Sequence, residues 1–231
     1  MKIRSLCLFL IIYLNFGIYL NCGIAQNIEF SAGANINRFY DLKEEQSNNS
    51  FTSDYSTGIG YSAIFSLNDV QSSSLNFRFT LKLEHYSGLI YNNDKRSFRT
   101  INTDVDIEKT NISLGIYPIH FKVLNKLLID IGAELNFLIN HKSSGSVTES
   151  INGIPMAAIN LNANSLDVNK FFNFGVGSRF SYEISVSENW SINPQYLFFI
   201  GATDEFDEIL VEAATKSMRH GLLIGFIKTF E

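Results

Sequence analysis

The chain has 231 residues, room for one large domain or two small ones, and a mean hydropathy of +0.05. Past its N-terminus it has no run of about 18 apolar residues, which excludes a helical membrane protein. Its formal net charge of −5 argues against nucleic acid as a partner, and its 20 Phe, 10 Tyr and 15 Gly against only 3 Pro suit a β-protein.

The first residues read as a signal peptide. Lys2 and Arg4 supply the positive start, and Leu6 to Leu14 (LCLFLIIYL) form the apolar centre. Gly23-Ile24-Ala25 places small residues before a cut at Gln26. Residues 1–25 are then an export signal and residues 26–231 a single barrel domain. Asn21 fits poorly before Cys22 in a lipoprotein signal. Both cysteines, Cys7 and Cys22, fall in the removed segment, so a disulfide scaffold or Cys-ligated metal is not expected. Losing Lys2 and Arg4 leaves 16 basic residues against 23 acidic ones, a formal charge of −7.

In chain order, Asn27 to Tyr40 sets Ile28, Phe30, Ala32, Ala34 and Ile36 against Glu29, Ser31, Gly33, Asn35 and Asn37. A period of two marks an extended strand with different surroundings on its two faces. After a polar loop (41–53), Asp54 to Leu67 sets Ile59, Tyr61, Ala63 and Phe65 against Gly58, Gly60, Ser62 and Ser66. A short connection (68–73) leads to Ser74–Tyr86, where Leu75, Phe77, Phe79, Leu81 and Leu83 oppose Asn76, Arg78, Thr80, Lys82 and Glu84. Residues 91–102 read as a second polar loop.

Thr103 to about Lys122 is less regular. Ile112, Leu114 and Ile116 alternate with Asn111, Ser113 and Gly115, while Val105 and Ile107 have the opposite parity, which predicts a bulge between them. Pro118 predicts a second irregularity, because it cannot donate to a ladder. A turn near Leu124-Asn125 enters Lys126–Lys142, the cleanest alternation in the chain. Leu127, Ile129, Ile131, Ala133, Leu135, Phe137 and Ile139 form one face, with Asp130, Glu134 and Asn136 on the other. Its length suits a tilted crossing of a bilayer, which takes roughly 9–11 residues.

Residues 143–168 are the longest connection expected. Lys170–Ile184, Trp190–Gly201 and Lys216–Phe230 complete eight strands, joined by the turn 185–189 and an acidic loop, 202–214. The connections alternate long and short, as in an antiparallel up-and-down transmembrane barrel with short periplasmic turns and long external loops.

Period two does not say which face points inward. A soluble periplasmic calycin-like barrel with an apolar ligand cavity is the alternative. Three features favour lipid outside: aromatics near strand ends (Tyr40, Tyr55, Tyr182, Trp190, Phe230), a Gly- and Ser-rich polar face, and mid-strand charges on it. Arg78, Lys82, Glu84, Asp130, Glu134, Arg179 and Glu183 are therefore expected to fill a closed lumen with an ion-paired network. Lys228 and His220 fall on the apolar parity of the last strand, near its two ends, where a charge costs little.

The Phe174-Gly175-Val176-Gly177 strand with Tyr182, the Gly115-Ile116-Tyr117-Pro118 stretch, and the ending from Gly221 to Phe230 resemble the outer-membrane β-barrel (PorT-like) family of Bacteroidetes-type bacteria. The architecture is similar to that of OmpA- and OmpX-like barrels. The resemblance implies an outer-membrane location and the barrel fold, and little about activity. Glu231 after the terminal aromatic departs from the pattern.

Some eight-stranded barrels modify lipids. His141-x-Ser143 with Glu149 is the one constellation that could deacylate lipid at the outer leaflet; a polar loop explains the same residues. His85, His120, His141 and His220 have no metal-ligand spacing, and Gly175-Val176-Gly177 lies within a strand, unlike a phosphate loop. Asp130 and Glu134 read as partners of the basic lumen residues. The expectation is a non-catalytic, monomeric barrel without cofactor, whose partners are outer-membrane lipid, the barrel-assembly machinery and an unidentified surface or periplasmic protein.

Overall fold

The computed structural model describes residues 27–41, 51–72, 75–96, 98–123, 126–161, 169–206 and 215–230. The expected export signal (1–25) and the parts of the expected loops at 42–50, 162–168 and 207–214 lie outside these. Among the described residues, ten strands form one antiparallel sheet: β1 Asn27–Asp41, β2 Phe51–Ser72, β3 Leu75–Arg96, β4 Arg99–Val123, β5 Leu127–Ile151, β6 Ile154–Leu161, β7 Phe172–Tyr182, β8 Ile184–Ser187, β9 Trp190–Gly201 and β10 Thr215–Thr229.

Eight of them close a ring in the order β1-β2-β3-β4-β5-β7-β9-β10, and β10 returns to β1 in unbroken register from Asn27↔Thr229 to Asp41↔Thr215. This is an eight-stranded antiparallel up-and-down β-barrel. Each ring strand then has two hydrogen-bonding neighbours, so no edge remains within the ring. β8 continues the line of β7 past Glu183 and pairs with β9. β6 folds back on the far end of β5 through a turn at Asn152-Gly153, both at positive φ (51° and 80°). The expected loops 91–102 and 143–168 are therefore largely strand: β3 and β4 pair as far as Arg96↔Arg99, and β5 and β6 form a hairpin.

Over the half of the ring near the short turns, apolar residues face out. Phe30, Phe65, Ile131, Phe180, Leu222, Ile224 and Phe226 are exposed, while Glu29, Arg78, Asp130, Arg179 and Asn193 are fully buried inside. Nearer the long-loop end the same sheet reverses. Phe39, Tyr55, Tyr86, Ile90, Val105, Ile107 and Phe206 pack together inside it, and Arg38, Asp104, Asp106 and Glu108 are exposed outside.

That reversal corrects two expectations. β4 keeps one parity from Val105 to Tyr117, with Val105, Ile107, Lys109, Asn111 and Ser113 all facing inward. The register does shift at Thr110/Asn111, but the extra residue is Ile139 on β5. Val105 and Ile107 changed parity in the sequence because the surroundings of the strand change there. Tyr55, expected at a lipid interface, is inside this apolar cluster at 5% exposure. The irregularity expected at Pro118 falls between Ile116 and Ile119.

Candidate functional site: a charge-filled lumen

The lumen is built by inward side chains of alternate residues on all eight ring strands. Its buried charged residues, among those described, are five cations (Arg78, Lys82, Lys109, Arg179, Arg219) and five carboxylates (Glu29, Glu84, Asp130, Glu134, Glu205). Equal numbers matter because an unpaired charge in such an interior is strongly destabilising.

They form three tiers. In the tier nearest the short turns, Glu29 accepts from Arg78 at 3.1 Å, Arg179 at 2.9 Å and Asn68 at 3.0 Å, and also from Gln195. Asp130 binds the same two arginines, with Arg78 at 3.4 Å. In the middle tier, Lys82 reaches Glu134 at 2.7 Å and Glu84 at 3.5 Å, and Arg219 donates to Glu84 at 2.6 Å. The Tyr117 hydroxyl donates to Glu134. In the third tier, Lys109 pairs with Glu205 at 2.8 Å. Lys109 and Arg219 lie over the rings of Phe206 (4.2 Å) and Phe199 (3.9 Å), where the ring faces attract cations. Burial opposes ionisation of Glu205, but Lys109 and Arg219 outweigh it and hold the carboxyl below its usual range.

Glycines on the inner face make the space. A Cβ on Gly225 would stand 2.6 Å from Glu29 Oε1, and one on Gly177 2.6 Å from Glu134 Oε1. Packing this close leaves little room for a solute. A cavity of about 10 Å³ lies at the middle tier, beside Lys82, Glu84, Glu134 and Arg219. A larger cavity of about 540 Å³ opens at the short-turn mouth, lined by Asn27, Asp69, His120, Lys122 and Glu183 among others. There His120 bridges Asp69 (3.0 Å) and Asp130.

Of the lumen residues read from the sequence, Arg78, Lys82, Glu84, Asp130, Glu134 and Arg179 are brought together. Glu183 stands apart at the mouth, paired with Lys122 at 2.6 Å. Sequence reasoning missed Glu29, Lys109, Glu205, Arg219, Asp69 and His120. Glu29 carried a usable signal, as a carboxylate on the polar parity near the start of the first strand; Glu205, in a loop, carried none. Of the aromatics, Tyr182, Trp190 and Phe230 are exposed near the short-turn end, and Lys228 sits over Trp190 at 5.0 Å. Tyr40, half-buried at the other end, donates its hydroxyl to the Gly201 carbonyl at 3.1 Å.

The possible hydrolytic trio is not assembled. The bulge at Ile139 turns Ser143 inward, where it is buried, and Glu149 pairs with Arg99 at 2.6 Å. Glu149 stands roughly 20 Å along the strand from Ser143, at about 3.3 Å per residue. An apolar ligand cavity is also contradicted, since the lower lumen is lined by these charges.

The architecture defines an eight-stranded barrel of inverted polarity over half its height. Solved structures similar to it are outer-membrane proteins. Neisserial surface protein A matches at TM-score 0.41 and 14% identity, covering 88% of this chain and 97% of that one. OprG from Pseudomonas aeruginosa matches at 0.42 and 10%, covering 90% and 97%. Ail of Yersinia pestis matches at 0.36 and 10%, covering 87% and 98%. No family model and no curated protein matches the chain.

Proposed function

We propose that the chain is an integral outer-membrane β-barrel with a closed lumen, non-catalytic, acting through its long-loop end as a surface-recognition or structural element. The observation that carries this is the inverted polarity. Ten charged residues are buried inside while Phe30, Leu222, Ile224 and Phe226 are exposed outside. In water such an exterior would aggregate, whereas in hydrocarbon a closed ring satisfies every backbone group and keeps the charges off lipid. The tiers of ion pairs favour a plug over a pore. Recognition is assigned to the long-loop end because its hairpins present exposed apolar tips, with Phe98 at 63% and Ile154 at 65% exposure.

Membrane fractionation followed by electrophoresis with and without boiling tests the location. The expected result is a band that needs detergent for extraction and changes mobility on boiling. Release in the soluble periplasmic fraction would overturn it. Reconstituted into a planar bilayer, the protein is expected to show no steady conductance; a stable open channel would overturn the closed lumen. Shortening the β5–β6 hairpin is expected to abolish partner binding without altering heat-modifiable mobility. Retention of the cellular phenotype by that variant would count against recognition and favour a structural role.

A further inference from the structure

We infer that Arg38, Lys216 and His220 form an exterior binding site for the phosphate of an outer-leaflet glycolipid of the lipid A class. The inference rests on the outer-membrane reading above. In the β1–β10 register, Arg38 lies opposite Met218 and diagonal to both Lys216 and His220. Residues of one parity share a face, and diagonal neighbours in such a pair stand about 7–8 Å apart. Two of these side chains can therefore reach one phosphate group from either side.

The three residues sit where the exterior changes character. Immediately below them, in register, Ile36 pairs with Ile59 and His220, and Ala34 pairs with Leu222. Ile59 (74%) and Leu222 (71%) are the most exposed large hydrophobics among the described residues. Cations directly above an unusually bare apolar surface match a ligand with a phosphate head and acyl chains. The position at the long-loop end assigns it to the outer leaflet.

The charges themselves call for an anion. The five buried cations each have a carboxylate, and Lys228 at the opposite end has the rings of Trp190 and Phe230. Among the residues whose side chains are described, no carboxylate pairs with Arg38 or Lys216. His220 is fixed in place, its Nδ1 taken by the Tyr196 hydroxyl at 2.6 Å and its ring 5.1 Å from that of Phe198. When Nδ1 accepts from that hydroxyl, Nε2 carries the ring proton and can donate to a phosphate oxygen. A guanidinium can hold two phosphate oxygens at once, and the ammonium adds a point charge.

The test uses the full-length exported protein in lipid nanodiscs, with diphosphoryl lipid A as probe and phosphatidylglycerol and dephosphorylated lipid A as comparisons. Native mass spectrometry reads how much of each lipid is retained. The wild type is expected to retain diphosphoryl lipid A preferentially. Arg38→Gln with Lys216→Gln is expected to weaken retention about tenfold or more, given the contribution of each basic residue near an anionic surface. Lys228→Gln at the other end is expected to change nothing. Boil-dependent mobility of the double variant shows that it has folded. Equal retention of phosphatidylglycerol or dephosphorylated lipid A, or unchanged retention by the folded double variant, overturns the site alone. Failure of the wild type to enter a bilayer overturns the membrane reading and the site with it.

Discussion

The two ends of this barrel use one sheet in opposite ways. Near the short turns, charge is inside and Phe, Ile and Leu are outside; near the long-loop end, aromatics are inside and Asp104, Asp106 and Glu108 are outside. Strand alternation is common to both, so backbone geometry does not distinguish them. The difference lies in what surrounds each section. A proposed lipid jacket reverses the usual preference, and a solvated extension restores it. The line of reversal passes close to Arg38 and His220 on β1 and β10, and between Lys109 and Ile112 on β4.

Perturbing each section separately sharpens this contrast. The largest effect is expected at Glu29. Glu29→Ala leaves the Arg78 and Arg179 guanidiniums to share Asp130 alone, and removing one partner from such a buried set costs about 3–5 kcal/mol. A loss of that size in the unfolding free energy from urea titration in vesicles checks it; no loss would mean that water already reaches the tier. Next is Ile224→Arg, on the exterior at the middle of β10, expected to cost about 2–4 kcal/mol in lipid. Folding yield into vesicles reads it, and a neutral result would place that face outside hydrocarbon. Glu205→Ala takes the carboxylate from Lys109 but leaves it the carbonyl of residue 205 and the Phe206 ring, and is expected to cost about 1–3 kcal/mol. Faster hydrogen exchange over residues 202–206 would show the loop released. The smallest effect belongs to Asp106→Lys on the solvated exterior, within about 0.5 kcal/mol. If that substitution were as costly as Ile224→Arg, the two exteriors would not differ.

Much of this was legible in the alternation of residues. The eight ring strands and the clustering of Arg78, Lys82, Asp130, Glu134 and Arg179 follow from parity, whereas two of the expected long connections are largely strand. The long-loop end was legible only in part. Val105 and Ile107 announced a change by their parity, yet a bulge and a change of surroundings leave the same trace in one strand. Only the neighbouring strands tell them apart: Phe39, Tyr55 and Tyr86 point into the same cluster. The single-residue bulge at Ile139 turned Ser143 inward, and nothing local to β5 marks it. Glu205 was not readable, because a loop residue enters the lumen through tertiary folding alone. The hairpin extension of β5 read as loop because its Ser, Asn and Gly residues resemble turn composition.

The most direct test places one fluorophore on the exterior near the short turns and one in the lumen at the middle tier. With the single native tryptophan removed by Trp190→Phe, Phe226→Trp reports the exterior (52% exposed) and Phe199→Trp the lumen (3% exposed). In vesicles of brominated lipid, the account predicts strong quenching at position 226 and little at 199. Quenching at 199, with 226 open to an aqueous quencher, would contradict it.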